Sequence, residues 1–164
     1  MNIKYIFTRE KNSKFRCPSF AYNIGIKQSK GEIIILSSPE IFHLNDSVDL
    51  IVAPLLKNKR ILSSPEAEGI SFDTTGKVTN YLFKEPTLDL AKDINSLLKW
   101  GSKRSRYARK LPFFMGLYKK ELMEIGGYDE DFTGYSGDDD DLIWRLKEKG
   151  LIFNYCSANI IHLY

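Results

Sequence analysis

The sequence predicts an α/β domain with a mixed, mostly parallel sheet flanked by helices. Three observations carry this expectation. Short β-branched apolar runs, such as residues 32–36, alternate with stretches whose apolar positions recur at helical spacing, such as Val48, Ile51, Val52, Leu55 and Leu56. A strand, helix, strand order with right-handed crossovers implies parallel pairing. The chain has 164 residues, 43% of them hydrophobic, which suits one domain spanning residues 1–164 with a sizeable core.

Taken in order, residues 4–8 read as a short strand. Ser19 is placed to cap a helix running through Phe20, Ala21 and Ile24 to Gly31, and residues 32–36 form a buried strand. After Asn45-Asp46 comes the second helix, in which Pro54 should kink the helix or delay its start. Residues 60–63 read as a strand. Residues 70–72 and 77–83, joined by Asp73-Thr74-Thr75-Gly76, read as a hairpin. A helix is expected over 91–100, a strand over 111–117, and a short helix over 119–125 stopped by Gly126-Gly127. Two short strands, 152–155 and 159–163, close the chain.

Ile35-Leu36-Ser37-Ser38-Pro39-Glu40 recurs as Ile61-Leu62-Ser63-Ser64-Pro65-Glu66. The flanks disagree, so this reads as two neighbouring parallel strands that end alike, each stopped by its proline. Glu40 and Glu66 then sit at carboxyl ends of strands, where open α/β sheets bind ligands.

Composition narrows the function classes. A net charge of +3 is too mild to imply nucleic acid. No run of about 18 apolar residues marks a membrane span, and Met1-Asn2-Ile3-Lys4 lacks a signal-peptide pattern. Cys17 and Cys156 show no metal-binding spacing and read as reduced thiols of a cytosolic protein. Residues 99–110 carry six basic side chains and no acid. They are either a solvated loop or a loop that closes over an anionic ligand. A nucleic-acid contact through Arg104, Arg106 and Tyr107 is disfavoured by the aspartates downstream and by the lack of a recognised motif.

Those aspartates, Asp138-Asp139-Asp140-Asp141, are the most informative feature. Adjacent carboxylates repel, and a fold tolerates them only in water or beside a cation, a basic group or a helix N-terminus. Leu142, Ile143 and Leu146 follow helical spacing and Gly150 supplies a stop, so the aspartates fall on the cap and first turn of a helix. They are either an over-capped surface helix or a functional set.

Three stretches together resemble the family 2-type, GT-A-fold glycosyltransferases, including their galactosyltransferase C-terminal-like region. These are residues 18–26 with 31–40, residues 126–132 with 137–150, and His162 in Ile160-Ile161-His162-Leu163-Tyr164. The family pattern runs A-x-N-x-G, G-E-I-I-x-x-x-D-x-D, G-G-F-D-E-x-F, [E/D]-D-x-D-L-x-x-R-L and a late histidine. The resemblance covers about residues 15–164.

The resemblance implies a GT-A-like (Rossmann-like) domain that transfers a sugar from a nucleotide-sugar donor to a glycan or lipid-linked acceptor, with inversion and a divalent cation, Mn2+ or Mg2+. It implies Asp139 as general base with Asp138 as partner, and Glu40 and His162 as metal ligands. Asn23, Gly127, Tyr128, Asp129, Asp141 and Trp144 are the implied substrate-binding positions. The family's D-x-D place holds Ser38-Pro39-Glu40 here, with one carboxylate, and His43 lies nearby. On residue chemistry alone, Glu40 reads equally as a strand-end carboxylate, His162 as a packed histidine, and Trp144 as core. The family's N-terminal nucleotide-binding half would precede Lys4, so the expectation is a partial domain. The alternative is a non-catalytic carbohydrate-binding or partner-subunit remnant. Expected partners are the donor, the acceptor and a second subunit or second copy. The expected location is the cytoplasm, at the inner membrane face if peripheral.

Overall fold

The computed structural model describes residues 3–8, 17–69, 76, 79–80, 114–134 and 137–163. The element order is α1 (Ser19–Gln28), β1 (Ile33–Ser37), β2 (Ile41–His43), α2 (Ser47–Lys57), β3 (Ile61–Gly69), β4 (Phe114–Tyr118), α3 (Lys119–Glu124), α4 (Asp138–Glu148) and β5 (Ile152–His162). The strands form one sheet in the order β1-β4-β3-β5-β2. The architecture is mixed α/β, as expected, but the mostly parallel sheet is not observed. Only β3 and β5 pair parallel; β1 with β4, β4 with β3, and β5 with β2 are antiparallel.

The physical reason lies in β4. Strands β1 and β3 do run the same way, but they are not neighbours. β4 lies between them, pairing Ile35 with Gly116 on one side and Ser63 with Gly116 on the other. The two Ser-Ser-Pro-Glu copies also end differently. β1 stops at Ser37, two residues before Pro39, whereas β3 continues through Pro65 to Gly69. Its register against β5 shifts between Pro65 and Ala67, an irregularity that tolerates a residue with no N–H to donate.

Other expectations are corrected. Residues 3–8 form no strand. Pro18, not Ser19, is the N-cap of α1, which ends at Gln28 rather than Gly31. Pro54 lies inside α2 without delaying its start at Ser47. The two closing strands are one, β5, because the alternation from Ile152 is carried through to His162 against β3. Of the hairpin over 70–83, Gly76, Thr79 and Asn80 are described and are helical. The helix over 91–100, the basic stretch 99–110 and residues 111–113 lie outside the described residues.

Alternation along the strands sorts the core into two faces. Ile34 and Leu36 of β1 and Met115 and Leu117 of β4 meet Ile26 of α1, Leu122 of α3, and Leu142, Ile143 and Leu146 of α4. On the opposite face, Ile51 of α2 packs with Phe114 and Ile160. α2 approaches closely because β4 presents Gly116 there. A Cβ at Gly116 would lie 3.1 Å from Leu55 Cδ1 and 3.3 Å from Ile51 Cγ1.

Both α3 and α4 end in paired i→i+5 and i→i+3 hydrogen bonds around a left-handed glycine. Gly126 and Gly127 donate to Met123 and Leu122, and Gly150 and Leu151 donate to Lys147 and Leu146. Beneath these ends the buried Glu121 is paired with Arg60 at 3.3 Å and Lys149 at 2.8 Å.

Gly116→Ala should destabilise the domain by about 1–3 kcal/mol through overpacking against α2. In a Leu55→Ala background the cost should fall, so a double-mutant cycle by urea unfolding should return a coupling of at least ~0.5 kcal/mol.

Candidate functional site

The site is assembled from five places in the chain: α1 with Cys17 just before it, the β1–β2 turn, the Gly-Gly turn after α3, the first turn of α4, and the end of β5. Gly137, at φ +99°, precedes α4, and the backbone then turns into a helix that begins at Asp138. The aspartates thus occupy the first turn, with a glycine rather than an aspartate at the cap.

The four carboxylates have different surroundings. Asp138 is buried, and Cys17 donates its thiol to Asp138 Oδ2 at 2.8 Å. Asp139 is partly buried and accepts a 3.0 Å hydrogen bond from the Tyr128 hydroxyl. Asp140 is exposed. Asp141 is gripped by Arg145, whose Nε donates to Oδ2 at 2.7 Å. The same guanidinium donates to the carbonyls of Ile125 at 3.0 Å and Gly127 at 2.7 Å. One planar fork therefore ties α4 to the Gly-Gly turn, a geometry that lysine cannot reproduce.

Burial pushes the Asp139 carboxyl up to about 6, the Asp138 charge adds to this, and the Tyr128 hydrogen bond partly opposes it. The Tyr128 phenol is itself raised, by burial first and then by the Asp139 charge. Burial likewise raises the Cys17 thiol, and its bond to Asp138 raises it further.

Tyr128 is fixed by α1. Asn23 Oδ1 accepts from the Tyr128 N–H at 2.8 Å, and Asn23 Nδ2 donates to the Tyr128 carbonyl at 2.8 Å and to Glu130 at 2.9 Å. The rings of Tyr22 and Tyr128 stack with centroids 5.1 Å apart. A Cβ on Gly127 would come within 2.3 Å of Asn23 Oδ1. Asn23 and Tyr128 are buried, so their visible work is to position Asp139. Asp129 is exposed and accepts from the Asp131 N–H at 2.9 Å.

Glu40 and His162 also meet. Pairing of Ile41 with His162 brings the ends of β2 and β5 together, and His162 Nε2 lies 3.2 Å from Glu40 Oε1. Two donors on adjacent positions of a six-coordinate ion, each about 2.1 Å from it, are separated by about 3 Å. The imidazole and carboxylate pair therefore fits one edge of a Mn2+ or Mg2+ coordination sphere. Among the described residues no group of three or more His, Cys, Asp or Glu gathers to complete it. His43 is directed elsewhere, with its ring edge-on to Phe114 at 4.8 Å.

Tyr22 links the two clusters. Burial raises its phenol, and the charges of Asp139, Glu40 and Asp138 all raise it further. A cleft of about 710 Å3 between α1 and β1 adjoins Tyr22 and Pro39, and no charged side chain lines it.

Trp144 is 60% exposed, so it is not a core residue. The Cys17, Tyr22 and Glu130 contacts were not assigned from the sequence. Arg145 had a readable signal, since Asp141 and Arg145 stand four apart on a helix.

Residues 98–164 match the sequence family described as "N-terminal domain of galactosyltransferase". No curated protein matches the chain. Among solved structures, the chain is similar to the crystal structure of GalNAc-T7 with UDP, GalNAc and Mn2+, at 14% identity and a TM-score of 0.58. The match covers 88% of this chain and 30% of that one, so this chain spans under a third of its relative's length. The fold is GT-A-like.

Two outcomes test the geometry. Gly126→Ala and Gly127→Ala both impose a left-handed conformation on a side chain, costing about 1–2 kcal/mol. Only Gly127→Ala also displaces Asn23, so its loss in urea unfolding should be larger by at least ~1 kcal/mol. Asp139→Asn should raise the melting temperature at pH 8 and not at pH 4. The raised carboxyl pKa means the folded state binds its proton more tightly than the unfolded state. Stability is therefore lost as pH rises from the ordinary carboxylate range through about 6. The amide removes that loss, worth at most ~3 kcal/mol.

Proposed function

We propose that this chain carries the transfer centre of an inverting glycosyltransferase that moves a sugar from a nucleotide donor to a hydroxyl of a glycan or lipid-linked acceptor. The observation that carries this reading is Asp139: a partly buried carboxyl, oriented by Tyr128 and raised to about 6. Such a group is ionised at neutral pH yet more basic than an ordinary aspartate, which suits general-base work.

Asp139 takes the proton from the acceptor hydroxyl as its oxygen attacks the anomeric carbon. The bond from that carbon to the diphosphate oxygen breaks, and the nucleoside diphosphate leaves with the electron pair. Asp138, held by Cys17, keeps a second negative charge beside the base. Asp141 and Arg145 hold the first turn of α4 against the Gly-Gly turn.

Glu40 and His162 are the residues that would hold a divalent cation. When bound, it supplies positive charge against the diphosphate. The presence of UDP and Mn2+ in the similar GalNAc-T7 structure supports testing uridine nucleotides first.

One observation favours a second reading, a carbohydrate-binding or partner-subunit domain without turnover. Only Glu40 stands where the resembled family has two aspartates.

Calorimetry with UDP-sugars and Mn2+ should show binding that Glu40→Ala weakens. Product release should rise with pH through about 6 and fall by about 100-fold or more in Asp139→Asn. Absence of heat with every nucleotide sugar, in the presence of glycan binding, would favour the second reading and overturn the first.

A further inference from the structure

The exposed side of α4 carries a feature that sugar transfer at Asp139 does not use. Asp140, Trp144 and Lys147 lie on one stripe of the helix at i, i+4 and i+7. Phe153 and Tyr155, two apart on β5, lie on one side of their strand. Together with Ile143 these residues line a groove of about 460 Å3.

Its walls are aromatic and open to solvent. Trp144 is 60% exposed and Tyr155 38% exposed. The Phe153 and Tyr155 rings are 4.8 Å apart, and Lys147 Nζ lies 5.6 Å from the Phe153 ring centre. A solvent-facing tryptophan beside two further aromatics adds little to the core and marks a contact surface. The groove also begins at Asp140, the residue next to Asp139.

We propose that this groove is an acceptor subsite that binds a pyranose ring of a glycan chain, one or more units from the hydroxyl that reacts. A pyranose has an apolar C–H face and a rim of hydroxyls. The aromatic faces of Trp144 and Tyr155 meet the first, since their negative π clouds attract polarised C–H bonds. Asp140 accepts from hydroxyls on the rim, and Lys147 donates to them. A phosphate or nucleotide fits poorly, because the Asp140 carboxylate opposes an anion and the one cation lies over Phe153. The volume lies in the range of small-ligand sites. The assignment as acceptor subsite rests on the transfer reading above; the sugar-binding chemistry of the groove does not.

Trp100 and Trp144 are the only tryptophans, so Trp100→Phe leaves Trp144 as the sole indole reporter. Titration of that variant with N-acetyllactosamine, chitotetraose, cellotetraose and maltotetraose should give a saturable shift in Trp144 emission with at least one, without nucleotide or Mn2+. Tyr155→Ala in the same background should weaken it about tenfold. In transfer assays Trp144→Ala should raise the acceptor KM about tenfold and leave kcat within about twofold, opposite to Asp139→Asn. Trp144→Phe, which keeps an aromatic face, should restore most of the loss. Emission that none of the four glycans moves, or an acceptor KM indifferent to Trp144→Ala, overturns the proposal. If transfer is absent with every nucleotide sugar while the Trp144 signal saturates, the transfer reading fails and the groove remains a sugar site.

Discussion

The two-ended grip of Asn23 on the Tyr128 backbone is the interaction on which the rest of the site depends. A primary amide has one acceptor and one donor end, and Asn23 applies both to the N–H and C=O of a single residue. The grip requires Gly127, because any Cβ there would occupy the space of Asn23 Oδ1. It fixes Tyr128, whose hydroxyl then fixes Asp139. Helix α1, the Gly-Gly turn and α4 come from distant parts of the sequence. Besides the Arg145 fork, their mutual placement rests on one amide, one missing side chain and one phenol.

The same logic explains how four successive carboxylates are tolerated. Like charges at such spacing cannot all be satisfied by the helix N-terminus alone. The chain gives them separate surroundings: a thiol for Asp138, a phenol for Asp139, water for Asp140 and a guanidinium for Asp141. The consequence is a graded set. The strongest cationic partner is spent on Asp141, which faces the Gly-Gly turn, while Asp139 has only neutral help and is raised by burial and by its neighbours. An arginine on Asp139 instead would have lowered its carboxyl and removed its basicity.

Local features were legible in the sequence. The first turn of α4 and the glycine stops after α3 and α4 follow from spacing and from glycine's access to positive φ. Of the five apolar positions read onto one face of α2, by contrast, Ile51 and Leu55 are buried but Val48 and Leu56 are exposed. The approach of Glu40 to His162 was legible through the resemblance. Sheet order was not legible. The apolar run ending at Leu117 specifies a strand but not the gap it enters, and β4 enters between β1 and β3. That placement turns an apparently parallel pair into two antiparallel ones. Pro65 misled for a related reason. Proline forbids one ladder hydrogen bond, yet a register shift absorbs the loss and the strand continues. Trp144 shows the limit of periodicity: an aromatic at helical spacing marks a helix, but exposure depends on which stripe the sheet covers.

The charge layout constrains the proposed reaction further. Glu40, Asp138, Asp139 and the exposed Asp140 make the mouth of the site acidic, with Glu130 held against Asn23 beside it. A diphosphate brought beside these carboxylates meets repulsion. A cation held by Glu40 and His162 would oppose that repulsion, and the sequence also carries six basic residues over 99–110. For the first, the Glu40 and His162 side chains have a donor spacing that suits a metal. The second is contiguous in sequence with the strand that carries Gly116 into the centre of the sheet. An acidic base centre and an anionic leaving group are thus compatible only through counter-charge. Burial first and the Asp138 charge second raise the Asp139 carboxyl, so a cation placed close to it would lower that carboxyl and weaken the proposed base. In the proposed reaction the cation ligands lie in the β1–β2 turn and on β5 and the base lies on α4, so the two functions are carried by separate elements.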